Sequence, residues 1–322
     1  MRRPRVELAA LPTPLLRARG LEQALHAGPV YVKRDDLTGF AVSGNKARAL
    51  EHLLGDATGQ GADVLVAGGS ASSNFCAAVA VATSTLGLEC ELLFPGAAPR
   101  PVPVNVAIAR AAGARLRFGA AASRDQVDKA VAGRAATLRG EGRRPYAVPR
   151  GGATPVGAVG YALAAEELGA QCDRLGVAVR VVVVGAGSGG TLAGLVAGQV
   201  GFGLPWRTVG ASVSRPAAAL AADVLALARG CAHLLGLRAA DPCHVDVRDL
   251  LGPGFGVPSG EDRVSADLAL RREGLLLDPY YGAKAMTLLR SLLAEGCPTP
   301  IVFWHTGGVA AALAALTAAG RP

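Results

Sequence analysis

A run of glycines follows a strongly apolar segment near the middle of the chain. Residues 180–184 read RVVVV, and residues 185–190 read GAGSGG before Thr191 and a leucine- and alanine-rich stretch. This order predicts a buried strand, a glycine loop and a helix that begins near Thr191. Backbone N–H groups at such a helix start bind phosphate, and glycine lets the ligand approach closely. The segment therefore indicates a phosphate site, with a glycine turn used only for packing as the alternative.

The surrounding residues exclude two common classes of phosphate ligand, namely dinucleotides and the nucleotides that a P-loop binds. A dinucleotide site has an acidic residue about 20 positions further on, at the end of the next strand. Here the next predicted strand, residues 208–214, reads TVGASVS and is followed by arginine. A P-loop ends in Gly-Lys followed by Ser or Thr, whereas this loop ends in GGT. What remains is a small phosphorylated ligand that is bound without ribose recognition.

Lysine is rare in this sequence, and one lysine opens a predicted helix. Only four of the 33 basic residues are lysines, at positions 33, 46, 129 and 284, and Lys46 lies in SGNKARAL. Pyridoxal 5'-phosphate (PLP) needs a phosphate site and also a lysine amine for its aldehyde. Arginine cannot serve, because its guanidinium does not readily lose a proton. Taken alone, Lys46 is better explained as a surface lysine; the phosphate site makes it a candidate cofactor anchor.

Charge and composition argue against several other classes of function. The formal net charge is +8, but the arginines are scattered and aromatic residues make up only 4% of the chain, so a solvated surface is favoured over nucleic-acid binding. The six cysteines show neither a CxxC pair nor a zinc-type spacing, so we expect most of them to be reduced core residues and expect no metal. No stretch approaches the ~20 apolar residues that span a bilayer. We expect a cytoplasmic protein without a membrane partner.

The segments that must position these residues alternate between two patterns. Short β-branched runs lie at 30–33, 63–69, 89–96, 115–119, 180–187, 208–214 and 300–308, and longer stretches with helical spacing separate most of them. This alternation predicts an α/β fold with parallel sheets covered by helices. In such sheets ligands bind at the carboxyl ends of the strands, where the glycine loop lies. Composition alone reveals no domain boundary.

An ordered series of motifs resembles one enzyme family. The series comprises LPTPL at 11–15, YVKRDDLTGFAVSGNKARALEHLL at 31–54, and further motifs at 68–93, 149–168, 185–195, 277–286 and 304–308. It is similar to the fold-type II PLP enzymes that include D-cysteine desulfhydrase and 1-aminocyclopropane-1-carboxylate (ACC) deaminase. The resemblance implies two open parallel-sheet domains of the tryptophan synthase β type, with the cofactor in the cleft. Residues 1–45 and 155–322 would form the larger domain and residues 46–154 the smaller, in a homodimer.

The same resemblance implies a role for each motif residue. Lys46 would carry PLP and, when displaced by substrate, act as the base at the α-carbon. Asn74 would bind the phenolic oxygen of the cofactor, and Ser73 would lie by the substrate carboxylate or share in proton transfer. Tyr281 would be an acid, base or nucleophile near the substrate. Thr306 would face the pyridine nitrogen, and the phosphate would be held by Gly187, Ser188, Gly189, Gly190 and Thr191.

Several of these residues also have purely structural alternatives. Ser73 and Asn74 could be an N-cap pair, Tyr281 could only pack, and Thr306 could cap the helix that follows. Lys33 and Asp35, which also match the family, are better explained by a structural ion pair. We expect Lys284 to be an exposed or structural helix residue, and Lys129 to be solvated.

The expected substrate pocket departs from the family at three places. Its predicted residues are Ser73, Phe75, Thr154, Phe255, Tyr281 and Gly282. Phe75 replaces a histidine of the family, Phe255 replaces a second active-site tyrosine, and Gly282 stands where ACC deaminase has glutamate. The changes at Phe255 and Gly282 argue against opening a cyclopropane ring, because that reaction would need the tyrosine pair and an acid near the pyridine nitrogen. Two lost polar groups and added space at Gly282 would suit a bulkier or less polar substrate.

The sequence thus favours a lyase that eliminates a β-substituent, such as a thiol, from a small amino acid. The products would be a 2-oxo acid and ammonia. A hydroxyl at Thr306, unlike a carboxylate, does not hold the pyridine nitrogen protonated, which favours elimination or replacement at the β-carbon over transamination. Two alternatives stay open: β-replacement or another bond-forming reaction of specialised metabolism, and a PLP-binding protein without catalysis.

Overall fold

The computed structural model describes residues 4–123 and 126–319 and contains two β-sheets covered by helices. The strands are Leu15–Arg17 (β1), Val30–Arg34 (β2), Val64–Gly68 (β3), Glu89–Pro95 (β4), Arg115–Ala121 (β5), Pro145–Val148 (β6), Val181–Ala186 (β7), Arg207–Ser212 (β8), Asp246–Asp249 (β9) and Ile301–His305 (β10). The helices are Arg19–Leu25 (α1), Lys46–Gly59 (α2), Asn74–Thr85 (α3), Val104–Ala111 (α4), Val127–Gly140 (α5), Pro155–Leu175 (α6), Gly190–Gly201 (α7), Ala217–Leu235 (α8), Gly260–Glu273 (α9), Gly282–Ala294 (α10) and Val309–Ala319 (α11).

The larger sheet has the strand order β1-β2-β10-β7-β8-β9, and the smaller has the order β5-β4-β3-β6. All pairs of neighbouring strands are parallel except β1 with β2. The predicted fold class is therefore confirmed, with the correction that the larger sheet carries one antiparallel edge strand. All seven predicted strands are present, and β1, β6 and β9 are additional.

Strand β7 shows why the glycine loop is held firmly. Val181, Val182, Val183 and Val184 are fully buried. Val182 and Val184 belong to the core with α6, α7 and α8, whereas Val181 and Val183 belong to the core on the opposite face, with α9 and α10. A continuous β-branched run suits a parallel strand that is covered on both faces.

The chain passes between the two sheets twice. β1 and β2 join the larger sheet, β3 to β6 form the smaller one, and β7 to β10 return to the larger. The predicted domain boundaries coincide with the starts of α2 and α6, which pack closely. A Cβ on Gly160 of α6 would lie 2.2 Å from the backbone oxygen of Arg48 in α2. The boundaries themselves stay a prediction.

Helix α8 contradicts the expectation that no segment is apolar enough to cross a membrane. Its 19 residues pass that test by length and composition alone, which is weak support for a membrane span. Leu220, Val224 and Ala228 of α8 are buried in the core beside β7, as in a helix that covers a sheet.

The cysteines agree with the expectation of reduced thiols. All six are free, and Cys76, Cys90, Cys172 and Cys231 are buried. Within residues 4–123 and 126–319, no group of three or more His, Cys, Asp or Glu side chains could hold a metal ion.

Candidate active site

A cavity of about 240 Å³ lies between the two sheets. Its walls come from segments that follow β3, β7 and β10, and from the start of α2. Carboxyl ends of parallel strands are the usual ligand sites of such sheets. The cavity brings together most of the predicted site residues: Lys46, Ser73, Asn74, Phe75, Gly187, Ser188, Gly189, Thr191, Phe255, Tyr281 and Thr306.

The loop before Lys46 is tied to two other walls of the cavity. The backbone N–H of Asn45 donates to the Thr306 oxygen at 2.9 Å, and the Asn45 side-chain amide donates to Thr191 Oγ1 at 3.0 Å. Gly44 has a φ of +50° and lies so close to Thr306 that a Cβ would be 2.4 Å from the Thr306 backbone oxygen. Only glycine fits this contact, so the GNK motif fixes Lys46 relative to both neighbouring loops.

Lys46 is half-buried, and burial lowers the pKa of its amine to about 8. Among residues 4–123 and 126–319, no carboxylate forms an ion pair with it. A lysine that is desolvated without a counter-charge keeps a fraction of neutral amine near neutral pH, and neutral amine is the nucleophilic form.

The other lysines lack this environment. The amine of buried Lys33 pairs with Glu167 and donates to Gln171 Oε1 at 2.7 Å. Lys284 is buried rather than exposed, and its amine lies 3.1 Å from Asp262 Oδ2 and 2.9 Å from the Leu250 oxygen. Lys129 is exposed. The structural interpretations of Lys33 and Lys284 and the solvated Lys129 are confirmed.

The glycine loop is shaped by a close approach of Tyr281. A Cβ on Gly187 would lie 2.7 Å from Tyr281 Cε1 and 3.1 Å from its Oη. Gly189 has a φ of +96°, which favours glycine, and α7 begins at Gly190 as predicted. The first N–H groups of a helix have no partner within the helix. The loop therefore fits the phosphate of PLP, although Gly190 itself packs against Ala153 and does not line the cavity.

The segment after β3 supplies Ser73 and Asn74. Ser73 Oγ accepts from the Cys76 backbone N–H at 3.3 Å, so Ser73 is the N-cap of α3 and also lines the cavity. The side-chain oxygen of Asn74 accepts from the Asn105 amide at 2.9 Å. Sequence reasoning missed Asn105, because an isolated amide in a helical run outside the motifs gives no signal.

A buried carboxylate holds the turn that presents Tyr281. Asp278 accepts hydrogen bonds from the backbone N–H groups of Tyr280, Tyr281 and Gly282 at 3.0, 2.8 and 3.0 Å. Burial raises the pKa of Asp278 above its usual range, which these N–H donors partly offset. Asp278 also lines the cavity. In the sequence Asp278 lies in LDPYY at 277–281, a motif that by itself indicates no role for the aspartate.

Thr306 is half-buried at the cavity wall after β10. Helix α11 begins at Val309, and the Gly308 oxygen accepts from Ala311 and Ala312 N–H at 3.0 Å. Gly308 rather than Thr306 therefore lies at the start of that helix. Neighbouring His305 accepts from the Gly307 N–H through Nδ1 at 3.3 Å, and burial lowers its pKa to about 4, so it is neutral at physiological pH.

Two predicted pocket residues do not line the cavity. The hydroxyl of Thr154 accepts from the Gly157 N–H at 3.0 Å and caps α6. Gly282 is buried at the start of α10, where a Cβ would lie 3.3 Å from Asp278 Oδ2 and from Leu277 Cβ. The expectation that Gly282 adds space for substrate is wrong, because this glycine faces packed protein.

The apolar character expected of the pocket comes from two phenylalanines. Phe75 is 1% exposed and packs beside Gly152, whereas Phe255 is half-buried between glycines at 254 and 256. Arg150 also lines the cavity and donates to Asp128 Oδ2 through Nε at 2.9 Å. Sequence reasoning assigned Arg150 no role.

A lysine that opens a helix, across a cleft from a glycine loop between two parallel-sheet domains, defines a class of PLP enzyme. A family model described as "Pyridoxal-phosphate dependent enzyme" matches residues 6–307, and the chain belongs to this family. This match supports catalysis over the alternative of a PLP-binding protein without activity.

Individual relatives are similar over almost their whole length. The chain is 35% identical over 317 residues to the D-cysteine desulfhydrase of Salmonella newport, covering 97% of this chain and 96% of the relative. It is 36% identical over 311 residues to a candidate 1-aminocyclopropane-1-carboxylate deaminase of Pyrococcus horikoshii, covering 95% and 92%. A solved ACC deaminase homologue matches with a TM-score of 0.89 and 35% identity, covering 96% and 93%. The fold and the cofactor class predicted from the sequence are confirmed.

Proposed function

We propose that the protein catalyses PLP-dependent α,β-elimination on a small amino acid that carries a β-substituent such as a thiol. The observation that carries the proposal is a lysine with a lowered pKa in one cavity with a glycine loop, the Ser73–Asn74 pair and Tyr281. Similarity to a D-cysteine desulfhydrase supports the choice of reaction.

Each part of the cofactor has a chemically matching group in the cavity wall. Bound PLP supplies an electron-withdrawing ring that stabilises negative charge at the α-carbon of the substrate. The Lys46 amine would bind the aldehyde, and Gly187, Ser188, Gly189 and Thr191, which line the cavity, would bind the phosphate. The Asn74 amide would donate to the phenolic oxygen, and the Thr306 hydroxyl would bind at the pyridine nitrogen.

Different side chains bind the substrate, remove its α-proton and protonate the leaving group. The carboxylate lies by Ser73, at the start of α3, where the helix dipole and free N–H groups favour an anion. Lys46, once its amine is free, takes the α-proton, and a pKa near 8 suits a base at physiological pH. The Tyr281 hydroxyl donates a proton to the departing group.

The net reaction balances with water as the second reactant. The α-proton and the β-substituent leave as the free thiol, and water then replaces the amino nitrogen to give a 2-oxo acid and ammonia. Phe255 leaves the cavity wall without the second tyrosine hydroxyl of the family. This favours leaving groups that are stable as anions, as thiolates are, over alcohols.

We also propose that the enzyme is a cytoplasmic homodimer. Its domain boundaries would lie at 45/46 and 154/155. The family resemblance supports this assembly. Sedimentation analysis of the purified protein tests it, and a monomer at micromolar concentration contradicts it.

The decisive experiment incubates PLP-loaded protein with D- and L-amino acids bearing β-leaving groups and measures 2-oxo acid, ammonia and thiol. We expect release from at least one thiol-bearing amino acid, and none with Lys46→Ala. No product from D-cysteine and its analogues contradicts the desulfhydrase assignment. A parallel set with an added second thiol separates elimination from β-replacement, because replacement yields a new amino acid and no 2-oxo acid.

A further inference from the structure

Asn105 is a buried amide beside the cavity. It lies on α4 with 6% of its surface exposed, and its Nδ2 donates to the Ser72 backbone oxygen at 2.7 Å and to Asn74 Oδ1 at 2.9 Å. Its own Oδ1 is buried and has no hydrogen-bond partner within residues 4–123 and 126–319. A buried oxygen without a hydrogen-bond partner destabilises a fold, so the Oδ1 of Asn105 contributes nothing favourable. The contribution of this side chain is the two hydrogen bonds that its Nδ2 donates.

These two bonds set the orientation of both amides. A backbone carbonyl can only accept, so the atom of Asn105 that faces Ser72 must be the nitrogen. The same nitrogen faces Asn74, so the nearest atom of Asn74 must be an acceptor, its Oδ1. With its oxygen engaged, Asn74 keeps its two N–H donors for a ligand in the cavity that it lines. The Ser72 carbonyl therefore fixes the orientation of the Asn105 amide, and the Asn105 amide in turn fixes the orientation of the Asn74 amide.

We propose that Asn105 is a positioning residue that fixes Asn74 as a hydrogen-bond donor toward the bound cofactor. The inference rests on the proposed function, in which Asn74 faces the phenolic oxygen of PLP. An N–H donor stabilises that oxygen as an anion, whereas a reversed amide presents its carbonyl oxygen and repels the anion.

Two substitutions separate this role from packing. Asn105→Asp keeps the shape of the side chain but replaces the donor with an acceptor, so Asn74 turns its N–H groups toward position 105. Asn105→Leu removes donor and acceptor at similar volume and frees Asn74 to rotate. The matched control is Val106→Ala, which removes buried volume from the next position of α4 and leaves both amides in place.

The readout is the absorbance of PLP-loaded protein, as the ratio of its visible band to its near-ultraviolet band. The visible band reports the form with an anionic phenolic oxygen. We expect Asn105→Asp to lower the ratio roughly tenfold, the weight of one hydrogen bond to a charged group. Asn105→Leu should lower it less, and Val106→Ala should leave it unchanged. In an Asn74→Ala background, Asn105→Asp should have little further effect, because the two residues act in series.

The outcomes distinguish this inference from the function on which it rests. A wild-type ratio in both Asn105 variants, or an equal change in Val106→Ala, overturns the role of Asn105 alone. If Asn105→Asp does not fold, as judged by circular dichroism, Asn105→Leu decides the question. Wild-type protein without a visible band, or a band that persists in Lys46→Ala, overturns both the inference and the proposed cofactor chemistry.

Discussion

Among the lysines that the structure describes, Lys46 is the one whose pKa burial lowers without a carboxylate partner. Lys33 and Lys284 are also buried, but each has a carboxylate partner. Lys46 has desolvation alone acting on it, so its pKa falls to about 8. The sequence predicted Lys46 as the cofactor anchor from its motif and from the rarity of lysine, and this role stays a prediction. It could not predict Asn105 or Asp278 as site residues, because their contribution lies in hydrogen bonds to backbone and amide groups that the fold alone brings together.

The lowered pKa of Lys46 should appear in the capture of cofactor by apoprotein. Only the neutral amine attacks an aldehyde, so the rate should rise with pH up to about 8 and then level off. A solvated lysine would keep gaining rate toward its ordinary pKa of 10.5. Stopped-flow absorbance after mixing with PLP at a series of pH values measures this profile. N-acetyl-lysine serves as the control, because its reaction with PLP shows the effect of titration of PLP itself. If the rate for the protein depends on pH in the same way as the rate for N-acetyl-lysine, the pKa of Lys46 is not lowered by burial.

Substrate preference should depend on the ring at position 255. Phe255→Tyr restores a hydroxyl to the cavity wall, so we expect the kcat/KM ratio of small polar over bulky apolar amino acids to rise roughly tenfold. Phe118→Tyr, on β5 and away from the cavity, is the matched control. Competition assays with paired substrates measure the ratio. An identical shift in both variants, or none in Phe255→Tyr, shows that this ring does not contact the substrate.

At the scale of elements, the missed strands share one property. β1, β6 and β9 are three or four residues long and lie at edges of the two sheets. Such segments are too short to display a period of two, and edge strands tolerate charge, as in DVRD of β9. They form because a neighbouring strand offers unpaired backbone groups. Six of the seven predicted strands were visible because burial on both faces favours apolar residues in uninterrupted runs. The seventh, β5, lies at the other edge of the smaller sheet and was visible because its seven residues alternate exposed with partly buried positions over the first five.

One buried ionic cluster connects α2 with α6. Arg48 is 2% exposed and donates to Asp35 Oδ2 at 2.9 Å and to Glu167 Oε2 at 2.9 Å. Tyr161 and Trp304 donate to the same Asp35 oxygen at 2.6 and 2.9 Å. Burial alone would raise the pKa of Asp35, but Arg48 and the hydrogen bonds that the carboxylate accepts hold this pKa below its usual range, so Asp35 carries charge in the core. The cluster joins the helix that starts at Lys46 to the larger sheet.

Removal of one partner should therefore destabilise the fold strongly. We expect Arg48→Met to reduce the free energy of unfolding by about 3 to 5 kcal/mol, because it leaves buried carboxylates unpaired. Arg271→Met, which removes a surface partner of Asp267 with 78% of the arginine side chain exposed, should cost less than about 1 kcal/mol. Urea unfolding followed by circular dichroism measures both. Similar losses in the two variants would mean that the cluster is not held in a desolvated core.

At the scale of the whole molecule, the site exists only where the two sheets meet. The chain leaves the larger sheet after β2, forms β3 to β6 of the smaller sheet and returns with β7, so composition shows no boundary. The order of motifs indicated this arrangement because most of the motifs contribute residues to a wall of the cavity. The segment after β3 of the smaller sheet supplies Ser73 and Asn74. The larger sheet supplies the glycine loop after β7 and Thr306 after β10, and Tyr281 stands before α10.

A ligand held by both walls should stabilise the whole fold, and its phosphate should account for part of that effect. Binding to the native state alone adds about 2.7 kcal/mol at a ligand concentration of 100 times Kd. We expect PLP to raise the urea midpoint of apoprotein, and pyridoxal, which lacks the phosphate, to raise it less at equal concentration because loop 187–190 gains no ligand. In Lys46→Ala both increases should shrink, while the difference between the two compounds should remain, since phosphate recognition does not require the amine. Equal stabilisation by PLP and pyridoxal would contradict a phosphate role for the glycine loop and leave Lys46 as the sole anchor.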